Sequence, residues 1–507
     1  MCILPSAPPA GAPTPAPALC PARLLEPEQR QALAVQALGG TFTVTALAEQ
    51  AGVSRKFVYQ QIDRAQQALA EAFAAPAADD DAVLFQLPVT RKWLRQHVLS
   101  LLLHCRSSYR GVIHHFHDCL GWPIALGTIH NTVQGAVPRA RARNAQVSLA
   151  AIDVGLLDEI FQAERPVLVG VDAGSTYCFL LSQESNRDGT TWGVRLLELH
   201  DRGLAPGAFV ADFASGLRAG CGLAFAHTPC WGDVFHGLQE VVAVVSALEN
   251  QAYAALAARD DLAGQAARYQ QRRGRANPSL STRLTRAKAK AEQAIALADD
   301  VAIVADWLRE EVFALAGPAC ADRRALYDFI VAELRDRAVA GAHRLTPLCT
   351  FLDNRRDQLL GFAAQLDRAL GELAARFHVP VSTGRALLRL QGLRYANPRR
   401  WQGEAELRQQ LHGRFHDLHE AVQQLARRTV RASSLVENLN SRLRNYFTLR
   451  RHLGADYLAL LQFFFNHRPL DRSDCPDRAG KSPTELLTGQ PHPHWLVLLG
   501  YQPFSQT

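Results

Sequence analysis

One block of apolar and β-branched residues, PVLVGVDAGSTYCFLLS at 166–182, stands out in a chain otherwise patterned largely as helix. The run breaks at Asp172 and resumes, as two short strands would. TWGVRLLELHD at 191–201 alternates like a further strand, and PGAFVADFASGLRAG at 206–220 reads as a helix. LAFAHTPCWGDVFHG at 223–237 reads as a short strand ending in Asp233. Strands and helices mixed in this order predict an α/β core. From about 238 to 432 the pattern is almost wholly helical, with EVVAVVSALENQAYAALAAR and STRLTRAKAKAEQAIALADDVAIVADWLREEVFAL as long amphipathic stretches. SSLVENLNSRLRNYF then opens another helix, capped by Ser433 or Ser434.

Ahead of the core, TALAEQAGVSRKFVYQQIDRAQQAL predicts a short helix, a turn at Gly52 and a longer helix capped by Ser54. Val53, Val58 and Ile62 face inward, and Ala48 is small where two helices cross. This is the pattern of a helix-turn-helix, with Arg55, Lys56, Tyr59 and Gln60 at the exposed start of its recognition helix. An ordinary helical hairpin is the plainer alternative. Residues 88–137 repeat the theme more loosely, with a turn at Gly121 and a helix from near Pro123 that turns Thr128, Asn131 and Gln134 outward. PRARARN at 138–144 reads as a basic linker along a phosphate backbone. His114, His115 and His117 have no accompanying cysteine or carboxylate set, so surface or core roles are expected for them.

Composition narrows the function classes. The 507 residues carry a net charge of +7, mostly from arginine, which favours a polyanionic partner. Ten scattered cysteines with no CxxC pair argue against a zinc ribbon and fit a reduced, cytoplasmic setting. No apolar run approaches the roughly 18–20 residues of a membrane helix. Residues 1–27 read as a disordered Pro/Ala-rich tail rather than a signal peptide, and AADDDA at 77–82 as an acidic linker.

The candidate chemistry rests on carboxylates. Asp172 and Asp233 each end a short strand, where a carboxylate is costly to bury without a cation. Two such groups on neighbouring strands can bridge a pair of divalent ions about 3.5–4 Å apart. Glu437 lies near the start of a helix, and Arg444, seven residues on, falls about 20° short of two full turns away. Carboxylate and arginine therefore share a face. His236 is expected in a packing or supporting role, and Asp201 and Asp212 in turns or on helix surfaces. Oxygen ligands favour Mg²⁺ or Mn²⁺.

Asp172, Asp233, Glu437 and Arg444 in this order resemble the DDE transposases of bacterial insertion sequences, in the retroviral-integrase superfamily. The closing FFFNHRPLDRSD…GKSPTELLTG looks like that family's last segment. The resemblance implies an RNase H-like catalytic core and two metal ions on Asp172, Asp233 and Glu437, with Glu420 as the competing third carboxylate. It also implies binding to double-stranded DNA at transposon ends and target, a homo-oligomer on DNA, and no nucleotide cofactor. The expected architecture is multidomain: tail 1–27, helix-turn-helix 28–76, and a second such unit with its linker 84–150. The core runs over 151–245, an all-α insertion over 246–430, and the closing core segment over 431–507. Within the insertion, Arg272, Arg273 and Arg275 of QRRGRANPS are expected to hold flanking DNA, against the alternative of a solvated turn. Two other readings stay open. One is a DNA-binding regulator without catalysis; the other is an actin-like ATPase or sugar kinase, because VGVDAGST is similar to the first phosphate loop of that fold.

Overall fold

The computed structural model describes residues 25–73, 86–339, 342–450, 452–473 and 475–502. The tail and the acidic 77–82 stretch of the sequence analysis lie outside these, apart from residues 25–27. The chain divides into two compact units between Pro88 and Val89.

Among the described residues the first unit has three helices, α1 (Pro27–Leu38), α2 (Val44–Gln50) and α3 (Arg55–Ala72). Local chemistry sets its turn. Gly52 takes φ +64°, which suits a residue without Cβ, and the Ser54 hydroxyl accepts the Phe57 N–H at 3.2 Å to start α3. Leu33, Leu47, Ala48 and Val58 form the small core. Arg55, Lys56, Tyr59 and Gln60 all remain exposed.

The second unit opens with helices α4 (Arg91–Leu103), α5 (Tyr109–Leu120) and α6 (Leu126–Gln146). Strands β1 (Val154–Gln162), β2 (Arg165–Asp172) and β3 (Cys178–Gln183) follow, then α7 (Gly189–His200), β4 (Ala208–Ala211), α8 (Ser215–Ala224) and β5 (Cys230–Gly232). The strands make one mixed sheet in the order β3-β2-β1-β4-β5. β1, β2 and β3 are antiparallel neighbours, whereas β4 and β5 run parallel to β1. Strand alternation sends Leu156, Ile160, Val167 and Val169 to one face and Leu157, Leu168 and Phe209 to the other. Trp192, Leu196 and Leu217 of α7 and α8 cover the second face.

Three expectations are corrected here. Residues 191–201 are helical, because Trp192, Leu196 and Leu199 bury one helical face against the sheet. Residues 206–220 begin as strand β4 before α8 starts. The basic stretch 138–144 is the last part of α6, not a linker. Helices α4–α6 share their core with the sheet: Val98, Phe116, Ile129 and Ala140 pack in one cluster with Leu156 and Val169.

A long helical region follows: α9 (Val234–Arg273), α10 (Pro278–Trp307), α11 (Cys320–Val339) and α12 (Leu345–Leu359), then α13 (Gly361–Phe377), α14 (Val381–Gly392), α15 (Pro398–Leu411) and α16 (Phe415–Arg428). The first four enclose Val241, Val301, Tyr327 and Leu352; the last four enclose Leu366, Leu387, Leu418 and Val422. Helix α9 has a mean hydropathy of 1.4 over its most apolar stretch, 22% of it buried. By length and composition it is the one helix among the described residues that could cross a membrane, which no single apolar run had indicated.

Helices α17 (Ser434–Leu449), α18 (Gly454–His467), α19 (Pro483–Thr488) and α20 (Trp495–Leu498) close the unit. Within the closing FFFNHRPLDRSD segment, Asn466 serves the fold. Asn466 accepts the Cys178 N–H (2.8 Å) and donates to the Cys178 carbonyl (2.9 Å), pairing the edge strand β3. Ser482 and Glu485 form a capping box on α19. His467, buried and stacked on Phe463, is pushed down to about 4 by burial. It folds neutral, while the unfolded chain takes up a proton below about 6.5. Stability should therefore fall by up to about 3 kcal/mol as pH drops from about 6.5 to about 4. Urea melts of wild type and His467→Gln across that range test this, and an equal acid loss in both would contradict it.

Candidate active site

The central strand carries a carboxylate into an apolar setting. Asp158 of β1 is 6% exposed. Its register follows from pairing: Leu157 lies opposite Ala211 in the parallel β1–β4 pair, so Asp158 and Asp212 follow one step beyond, side by side. Ala211 in turn pairs with Gly232 of β5, which places Asp233 at the same end of the sheet. Asp158, in the middle of β1, thus stands in a row with Asp212 and Asp233, which directly follow the last residues of β4 and β5.

Helix α17 lies over β1 and adds Glu437. Asn440, one turn on, is buried and donates to Asp158 Oδ2 at 2.6 Å. Asp158 Oδ1 accepts the Glu159 N–H at 2.8 Å. Each Asp158 oxygen therefore keeps a free lone pair. Burial first, then the nearby Glu437 and Asp212 charges, push its carboxyl up to about 7. Arg444 sits 4.0 Å from Glu437, on the shared face that the spacing implies.

Asp233 has no such freedom. Its Oδ1 accepts the Phe235 and His236 N–H groups (2.6 and 3.2 Å), capping α9. Its Oδ2 accepts the Ser433 N–H at 2.8 Å and the Ser433 hydroxyl, and lies 3.1 Å from His236 Nδ1. It is fully buried. Burial raises its carboxyl, but His236 and Ser433 outweigh that and hold it below the usual range. The structure brings Asp233, expected as a metal ligand, to the same end of the sheet as Asp158 and Glu437, with its carboxylate engaged on both oxygens. With its lone pairs spent, this residue ties the start of α9 to the start of α17 and so places Glu437. The Asp233 carboxylate raises His236 to about 9, and His236 Nε2 reaches to 3.7 Å from Glu437. His236 is charged at neutral pH and bridges the two acids.

Asp172 is not brought to this place. β2 runs antiparallel to β1, so its last residue pairs with Gly155, three residues and roughly 10 Å before Asp158 along the strand. There Asp172 Oδ2 accepts the Ser175 N–H (2.7 Å) and hydroxyl (2.5 Å), closing the turn into β3. The structure does not bring Asp172, expected as a catalytic ligand, together with Asp233 and Glu437; its carboxylate closes the turn instead. The same turn leaves little for a phosphate. The N–H groups of Ala173, Ser175 and Thr176 go to Val154, Asp172 Oδ2 and the Asp172 carbonyl.

Glu420 is exposed on α16 and accepts from Gln424 (3.2 Å), leaving Glu437 as the glutamate of the site. Thr128, Asn131 and Gln134 are exposed on α6. Arg272, Arg273 and Arg275 are exposed at the tip of the α9–α10 hairpin, at the opposite end of α9 from Asp233 and roughly 60 Å along it. Among the described residues, no three His, Cys, Asp or Glu side chains already close on one point. The all-oxygen set of Asp158, Asp212 and Glu437 nevertheless fits hard divalent cations. The buried Asn440 Oδ1 beside it has no donor among the described residues.

Sequence patterning passed over Asp158 and gave Asp212 only a turn or helix-surface role. A signal existed in VGLLDEIF, where an acid inside an apolar run demands a partner. No family model matches the chain, and no curated protein matches it.

Proposed function

We propose that this chain is a DNA transposase with an RNase H-like core, acting through Asp158, Asp212 and Glu437. The observation that carries this reading is the pair of acids side by side in mid-β1 and just past the end of β4, overlaid by Glu437 from α17. Divalent ions held by these three residues would supply charge neutralisation and water activation for phosphoryl transfer. Asn440 fixes the Asp158 carboxylate. His236, charged and anchored on Asp233, steers Glu437. Arg444, largely exposed, is free to pair with a DNA phosphate. The first unit supplies recognition of the element's ends, and the arginine tip of α9–α10 holds flanking DNA. Pairing of two ends calls for more than one copy of the chain.

The test is incubation of the full chain with linear DNA carrying the inverted repeats that flank its gene, in Mg²⁺ or Mn²⁺. The reading predicts nicks at the repeat ends and joined strand-transfer products. DNA bound but never cut, under any divalent ion, would favour a DNA-binding regulator instead.

Recognition makes a separate prediction. Replacing Arg55, Lys56, Tyr59 and Gln60 with Ala should weaken binding to the element's ends far more than to random duplex. Each lost bidentate base contact costs about 1–3 kcal/mol. Anisotropy titrations on both DNAs read this out. Equal losses would make the contacts backbone-only, and no loss would return α3 to a structural role.

A further inference from the structure

Away from the acids, a cleft of about 550 Å³ opens between the start of α5, the exposed side of α6 and the link from α17 to α18. Arg110, His130, Arg450 and His452 line it, together with Tyr109 and Tyr457, and no carboxylate does among the described residues. Arg110, His130 and His452 are exposed.

Arg450 is built into this place. Its guanidinium carbon lies 3.9 Å from the Tyr109 ring centre and 4.1 Å from that of Tyr457, so it is clamped between two rings. Gln162 anchors its backbone by donating to the Arg450 carbonyl at 3.0 Å. Its Nη2 is buried without an acceptor among the described residues. A buried donor left without a partner is costly, the more so on a charged group. The clamp also keeps the guanidinium from swinging out to water. A site with cations at its rim and an unmet donor at its base calls for an anion.

The cleft is placed with respect to the acids. Glu437 lies in the first turn of α17 and Arg450 directly follows its last residue, roughly 20 Å apart along the helix. At 3.4 Å per base pair this is about six base pairs of duplex. Gln134 of α6 lines the same cleft, joining it to the exposed α6 face. We propose that the cleft binds a backbone phosphate of double-stranded DNA, about six base pairs from the bond cut at Glu437. The inference rests on the functional reading above and adds a phosphodiester site to it.

The experiment uses the full chain and a labelled duplex carrying one element end, titrated by anisotropy in EDTA over a salt series. Arg110→Ala/Arg450→Gln should make the slope of log K against log salt shallower by about one to two, with affinity falling about tenfold at low salt. Should Arg450→Gln fail to fold, Arg110→Ala alone, at an exposed position, should lower the slope by about one. Unchanged slopes in folded variants, checked by circular dichroism, overturn the site while leaving the transposase reading intact. A wild-type chain that binds no duplex overturns both.

Discussion

Asp158→Asn should lower divalent-dependent DNA cleavage by about three orders of magnitude, about 4 kcal/mol of lost transition-state stabilisation. Asp172→Asn should leave it within about twofold, because that side chain closes the β2–β3 turn, roughly 10 Å along β1 from Asp158. The contrast is sharp because both acids are buried and sit on adjacent strands. The stability of Asp158→Asn should hold or rise. A buried charge facing Glu437 and Asp212 is unfavourable, and the new amide can accept the Glu159 N–H through its oxygen and donate to Asn440 Oδ1 once the Asn440 amide turns over. Single-turnover cleavage paired with thermal melts gives both readings. If Asp172→Asn is inactive and Asp158→Asn active, the site lies at the β2–β3 turn.

Asp233→Ala should act differently, losing stability first. It strands the N–H groups of Phe235, His236 and Ser433 and the Ser433 hydroxyl, all buried or half-buried, and removes the anion beside His236. Removing one partner from such a network costs about 3–5 kcal/mol. Cleavage falls with it, because the start of α17 is no longer tied to the end of β5 and Glu437 loses its placement. Ser433→Ala removes only the hydroxyl and should cost about 1–2 kcal/mol. Urea melts rank the two, with cleavage measured below each variant's transition. An Asp233→Ala chain that keeps wild-type stability yet cannot cut would make Asp233 a ligand after all.

Much of the helical architecture was legible because its signals are local. Gly52 and Ser54 mark the turn and cap of the first unit, and the Glu437–Arg444 spacing needs only helical geometry. The site was half legible. Glu437 could be read from its own helix, but a strand's direction depends on its partner. Without β1 in view, the end of β2 looks like any strand end, and Asp172 is the acid standing there. β1 itself hides because it is buried on both faces, so VGLLDEIFQ lacks the alternation that marks a half-exposed strand. RLLELH at 195–200 satisfies both alternation and helical spacing, and packing of Trp192 and Leu196 decides for helix. Asp233 was found for its position and not its role, since its saturation by Ser433 joins residues 200 apart.

The most direct test of the central claim is a crystal of the chain soaked in Mn²⁺, with anomalous scattering used to locate the metal. Anomalous density is expected among Asp158, Asp212 and Glu437, lost in Asp158→Asn, with none at Asp172. Density bounded by Asp172, or by Asp233 with its Ser433 bonds broken, would contradict that claim.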